Sequence, residues 1–98
     1  MEMSKLKNNE TDRLFEAIRS LKTIDEFYDL FEDLCTVKEI RDMSQRLQVA
    51  ELLSKGNSYQ KVSEITSVSS ATISRVKRCL DYGTGGYATV LKRLEEKK

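Results

Sequence analysis

The chain has 98 residues with no Pro, no Trp and no His, and its 17 basic and 16 acidic side chains leave a net charge of +1. That length holds one domain and buries only about two-thirds of its unfolded surface, so core is scarce. Without His, and with Cys35 and Cys79 in no CxxC spacing, the sequence assembles neither a zinc site nor a nucleophile–base pair, which excludes an enzyme and a metal centre.

Residues 1–8 are polar and are expected to fray. A helix then starts at about Asn9 or Thr11, with Leu14, Phe15, Ile18 and Leu21 on its apolar side. Thr23 and Glu26 stand in capping-box spacing and open a second helix, Ile24 to about Cys35. There Phe27, Tyr28, Leu30, Phe31 and Leu34 cover more than one face. Thr36 and Glu39 repeat the signal ahead of the longest helix, about Val37 to Lys55, whose stripe is Ile40, Met43, Leu47, Ala50 and Leu53. Gly56 stops it where a left-handed residue is wanted. Two short helices follow. The first begins after Ser58 and buries Val62 and Ile65; the second runs from Ser70 to Tyr82 with Ile73, Val76 and Leu80 inward. Between them lies Ser67-Val68-Ser69, with Val68 inward and Ser69 free to cap. Gly83-Thr84-Gly85-Gly86 breaks the chain, and Tyr87 to about Glu95 closes it with Val90, Leu91 and Leu94 inward. The expectation is an all-α single domain over 1–98, six helices and no strand.

Residues 58–82 read as a helix-turn-helix. On a helix advancing 100° per residue, Ala71, Arg75 and Arg78 lie opposite the apolar stripe, flanked by Ser70 and Ser74. Small side chains there permit close approach to base edges, and arginine forks onto guanine or phosphate. The candidate DNA contacts are Ser58, Gln60 and Lys61 at the first helix, Ser69 in the turn, and Ser70, Ala71, Thr72, Ser74, Arg75, Lys77 and Arg78 on the second. Two amphipathic helices with a serine-rich turn could also be ordinary parts of a helical domain. Charge favours the reader: residues 55–80 hold five basic side chains against Glu64 alone. The halves divide likewise, −4 over residues 1–36 and +5 over 37–98, as suits a phosphate-binding face with an acidic body.

The second helix is apolar around most of its circumference, and so small a chain has little core to surround it. It is expected to press against a second subunit, which would present two readers to a palindromic double-stranded site. The competing reading is a helical adaptor that binds a protein partner through these aromatic N-terminal helices. No apolar run approaches a membrane span, and MEMSKLKNNETDR lacks a signal-peptide core, so the expected location is cytoplasmic with reduced thiols. The glycine-rich loop has no following Lys-Ser/Thr and follows a helix, which suits a cap and hinge better than a phosphate cradle.

Thr36, the segment RLQVAELLSKG at Arg46–Gly56 and ATISR at Ala71–Arg75 resemble the Trp repressor family, closest to the Trp-repressor-related regulators of Gram-positive bacteria. The resemblance covers about half the chain, Thr36 to Leu80. It implies an intertwined homodimer whose N-terminal helices share one core, with Ala71, Thr72 and Ser74 where that family approaches DNA. In the Trp repressor, tryptophan lies between two arginines that match Arg46 and Arg75 here, and Thr36 matches the position whose backbone helps hold its amino group. Two positions depart. Val76 stands where the family has the glycine that lets the indole lie close, and Cys79 replaces a serine that hydrogen-bonds the ligand. A branched side chain fills indole space and a thiol is a poor hydroxyl. The candidate effector set is therefore Thr36, Arg46, Arg75, Val76 and Cys79, with no cofactor and with L-tryptophan not expected as effector. The plainer alternatives are that Arg46 pairs with Asp42 at i−4 and that Arg75 touches only phosphate.

Overall fold

The computed structural model describes residues 4–97, and every regular element among them is an α-helix. These are α1 (Asn9–Arg19), α2 (Ile24–Leu34), α3 (Val37–Ser54), α4 (Tyr59–Thr66), α5 (Ser70–Tyr82) and α6 (Gly86–Glu96). The expected all-α class, helix count and order hold. Of the stretch expected to fray, residues 1–3 lie outside the described residues. From Ser4 the backbone turns, Lys7 donating to the Ser4 carbonyl, and the Lys7 ammonium lies 2.6 Å from Asp12. No helix among the described residues is long and apolar enough to cross a membrane.

The chain divides into two compact units, one ending at Val37 and one starting at Lys38. In the first, caps fix the helix starts. Asn8 accepts the Thr11 N–H at 2.7 Å for α1. Thr23 and Glu26 form the expected capping box for α2, satisfying amides that have no partner inside the helix. Yet neither α1 nor α2 has a buried residue. Phe15, Ile24 and Tyr28 stay 53%, 70% and 65% exposed.

The second unit owns the core. Val49, Ala50 and Leu53 of α3 pack with Val62 of α4, Val68 of the turn, and Ile73 and Val76 of α5. Leu80, Tyr87 and Leu91 close over it, so α6 packs on α5. α3 ends in a Schellman motif: Gly56 takes φ +91°, its N–H donates to Leu53 and the Asn57 N–H to Leu52, as a left-handed residue allows. Four inward assignments from periodicity are corrected. Ile65, Met43, Val90 and Leu94 are all more than 40% exposed, while Val49, off the expected α3 stripe, is fully buried. Only the C-terminal half of α3 contributes buried residues, so its buried face is rotated toward Val49 and Met43 has no core to enter.

Candidate nucleic-acid interface

The sequence dictates the α4–α5 turn by hydrogen bonding. The Ser58 hydroxyl accepts the Lys61 N–H at 3.1 Å and starts α4. Thr66 donates to the Val62 carbonyl at 2.8 Å and accepts the Val68 N–H at 3.2 Å, which turns the backbone while Val68 plugs the core. Ser67 bends the chain in the left-handed region at φ +60°, a conformation that costs a non-glycine residue about 1–2 kcal/mol. Its N–H still donates to Ser63 at 2.8 Å. Ser69 then caps α5, accepting from the Thr72 N–H at 3.2 Å. Both helix starts thus rest on serine oxygens.

Ile73 and Val76 anchor one side of α5 at 0% and 1% exposure. The opposite side is open: Ser70, Ala71, Ser74, Arg75 and Arg78 are all exposed. Arg75 and Arg78 make no ion pair among the described residues, nor does Lys61 on α4. Unpaired guanidiniums on a rigid helix are available to phosphate or guanine. Lys77 differs, for its ammonium lies 3.2 Å from Asp81 one turn on. The Ser69 hydroxyl donates to Thr72 Oγ1 at 3.1 Å, which leaves the Thr72 hydroxyl its own proton for an outside acceptor. Ser58, Gln60 and Lys61 are exposed at the start of α4. The eleven expected contact residues therefore lie on α4, the turn and α5 in exposed or half-buried positions.

The expected effector residues are not gathered in one place. Arg46 and Thr72 line a polar cleft of about 360 Å³ with Lys38, Asp42, Gln45 and the Ser67-Val68-Ser69 turn. Asp42 is bound by Lys38 at 2.8 Å rather than by Arg46, so the alternative of an Arg46–Asp42 pair is not the one adopted. The Lys38 hydrogen bond holds the Asp42 carboxyl below its ordinary value; desolvation opposes this and the charges of Lys38, Arg46 and Arg41 reinforce it. Cys79 lines a different, apolar groove of about 570 Å³ with Leu47, Tyr87, Val90 and the Gly83–Gly86 loop. Val76 belongs to the core and offers a ligand no surface. Arg75 points out on the basic arc, and Thr36 precedes α3 in the other unit. Sequence reasoning missed Lys38, Asp42, Gln45 and Ser67 as cleft residues. Their only signal was position, within the two turns that precede Arg46 on α3 or inside the α4–α5 turn.

No group of His, Cys, Asp or Glu side chains that could hold a metal comes together among the described residues. The sequence matches the family profile of the Trp repressor protein over residues 9–95. It is 50% identical over 96 residues to the uncharacterized protein YerC of Bacillus subtilis, covering 98% of this chain and 92% of that protein. Two crystal structures are similar throughout. One is of a candidate Trp repressor from Staphylococcus aureus (TM-score 0.90, 44% identity, 97% of this chain and 95% of that one). The other is of a TrpR like protein from Eubacterium eligens (TM-score 0.89, 50% identity, 93% and 94%).

Proposed function

The chain belongs to the Trp repressor protein family, matched from residue 9 to residue 95, and from that premise we propose that it is a sequence-specific transcriptional repressor that binds double-stranded DNA as a homodimer. Members of this family are regulators and not enzymes. One observation carries the DNA reading: α5 is pinned by a fully buried Ile73 while its outer arc presents Arg75 and Arg78 with no ion-pair partner among the described residues. Ala71, Thr72 and Ser74 at its start approach base edges and phosphates, Ser58, Gln60 and Lys61 hold the flanking backbone, and Ser69 and Ser70 fix the helix entry.

The homodimer is supported by the first unit. Its α1 and α2 hold no fully buried residue, only half-buried ones such as Ile18, Phe27 and Phe31, and each apolar side chain left in water forgoes about 1.5–3 kcal/mol. A second copy supplies the missing surface, and two copies relate two readers by a two-fold axis. The same exposed faces would serve a different protein partner, which is the adaptor reading. Modulation falls to the polar cleft at Arg46, whose wall is the reader's own turn, so an occupant acts directly on the angle of α5. Val76 buried and Cys79 on another groove leave no indole slot there, which supports a polar effector other than tryptophan.

In vitro selection of bound DNA from a random pool tests the whole reading. The expected product is an inverted repeat with half-site centres about one helical turn apart. A pool that enriches no sequence at low salt sinks the repressor reading and leaves the adaptor.

A further inference from the structure

Tyr82 is 85% exposed, more than any other large apolar or aromatic side chain among the described residues. Exposed apolar residues scattered singly need no explanation, but the position of this one is not arbitrary. Ala71, Arg75, Arg78 and Tyr82 follow one another at spacings of four, three and four, and so fall within an arc of about 60° on α5. The side of the helix opposite this arc is occupied, with Ile73 and Val76 buried and Leu80 packed on the core; Asp81 holds Lys77, and the exposed Cys79 lines the separate apolar groove. Tyr82 therefore ends the basic arc rather than beginning another surface.

We propose that Tyr82 is a further DNA contact, its phenol hydroxyl donating to a backbone phosphate beyond the groove that the start of α5 enters. The inference rests on the DNA-binding reading above and commits to a position on the duplex. Eleven residues separate Ala71 from Tyr82, about 16 Å along the axis. A B-form major groove is about 12 Å wide. With Ala71 at base edges, the end of α5 has passed the groove rim and meets the sugar–phosphate strand. A phenol suits that place. It donates a hydrogen bond to a phosphate oxygen, carries two side-chain torsions and so loses little entropy when held, and does not repel the strand. The carbonyl end of a helix alone would repel phosphate; Arg78, one turn back on the same arc, offsets that.

The test uses the full-length protein and the operator obtained by selection, with Tyr82→Phe and Tyr82→Ala compared with wild type by fluorescence anisotropy at several salt concentrations and by phosphate-ethylation interference. Tyr82→Phe is expected to weaken binding about ten- to a hundredfold per half-site, the range of one hydrogen bond to a charged group. The slope of affinity against salt stays the same, because a neutral donor displaces no counterion. One phosphate per half-site should cease to register in the ethylation pattern. Thermal melts of Tyr82→Phe should match wild type. Wild-type affinity and an unchanged ethylation pattern in Tyr82→Phe overturn the proposal while the reader stands. Altered dimer dissociation at unchanged operator affinity overturns it in favour of a protein contact. A wild-type chain that selects no DNA removes the reader and this contact together.

Discussion

Replacing Arg78 with Ala should change how DNA affinity depends on salt in a way the ion-pair pattern fixes in advance. Lys61, Arg75 and Arg78 make no ion pair among the described residues, whereas Lys55 lies 4.0 Å from Glu51 and Lys77 lies 3.2 Å from Asp81. These three cations on each reader become six in the proposed dimer. At about 0.9 counterion released per neutralised phosphate, log affinity should fall against log salt with a slope of about −5.4. Between about 50 and 200 mM salt that is roughly a thousandfold loss. Arg78→Ala removes two contacts, so the slope should flatten to about −3.6 and the loss shrink to roughly a hundredfold. Asp81→Ala acts oppositely: it frees Lys77 and should steepen the slope to about −7. Fluorescence anisotropy on a labelled operator reads both, with sedimentation velocity showing that the dimer is unchanged. Arg78→Ala losing affinity at an unaltered slope would mean that this guanidinium does not meet phosphate, and the contacting face would be wrongly assigned.

Ser67→Gly should stabilise the fold by about 0.5 kcal/mol, since relief of the left-handed penalty exceeds the added freedom of the unfolded chain; the melting temperature rises by about 2–4 °C, and a fall would mean that the serine side chain holds the turn. Isothermal titration with L-tryptophan should show no stoichiometric binding, and micromolar binding would sink the effector reading. Phe15→Glu and Tyr28→Asp each place a charge on an apolar face of the first unit, and should shift the sedimenting species from dimer toward monomer at micromolar concentration; a dimer untouched by both puts the interface elsewhere. Asp42 has its pKa lowered from 3.8 by Lys38. A depressed carboxylate stabilises the fold above its unfolded value, and that contribution disappears as pH falls through the folded one. Chemical denaturation should therefore separate wild type from Lys38→Met at neutral pH and converge below about pH 4; a gap that persists at pH 2 would have another origin.

The reader was the legible part of the chain because its signals are local. Ser58 and Ser69 announce helix starts by residue type alone, and both hydroxyls accept the amide three residues on. Thr23 and Glu26 are equally direct. The left-handed backbone at Ser67 was not legible, because glycine is the residue that normally marks such a bend. Nor was the cleft at Arg46, which forms from residues far apart in sequence, Lys38 through Arg46 and Ser67 through Thr72. Periodicity alone cannot bring those segments together. Val76 shows the limit of matching by position. The resemblance placed it beside a ligand, whereas the 3.6-residue stripe placed it in the core, and it is 1% exposed.

The misassigned apolar residues follow a rule of their own. Periodicity points Met43, Val90 and Leu94 inward, yet all three are exposed, and α1 and α2 carry apolar stripes with no fully buried residue. Ile65 apart, none of these lies on the α4–α5 reader. An amphipathic stripe reports that a face is kept from water, and does not report which molecule keeps it so. Where the covering surface is the same chain, as for Val62, Ile73 and Val76, periodicity and single-chain burial agree. Where they disagree, Ile65 of α4 aside, the excess stripe lies on α1, α2, the first half of α3 and α6. That distribution supports the proposed homodimer, in which a second copy covers the stripes that this chain leaves open. A helical adaptor would need one exposed apolar face, whereas here stripes without cover from the same chain lie on four helices.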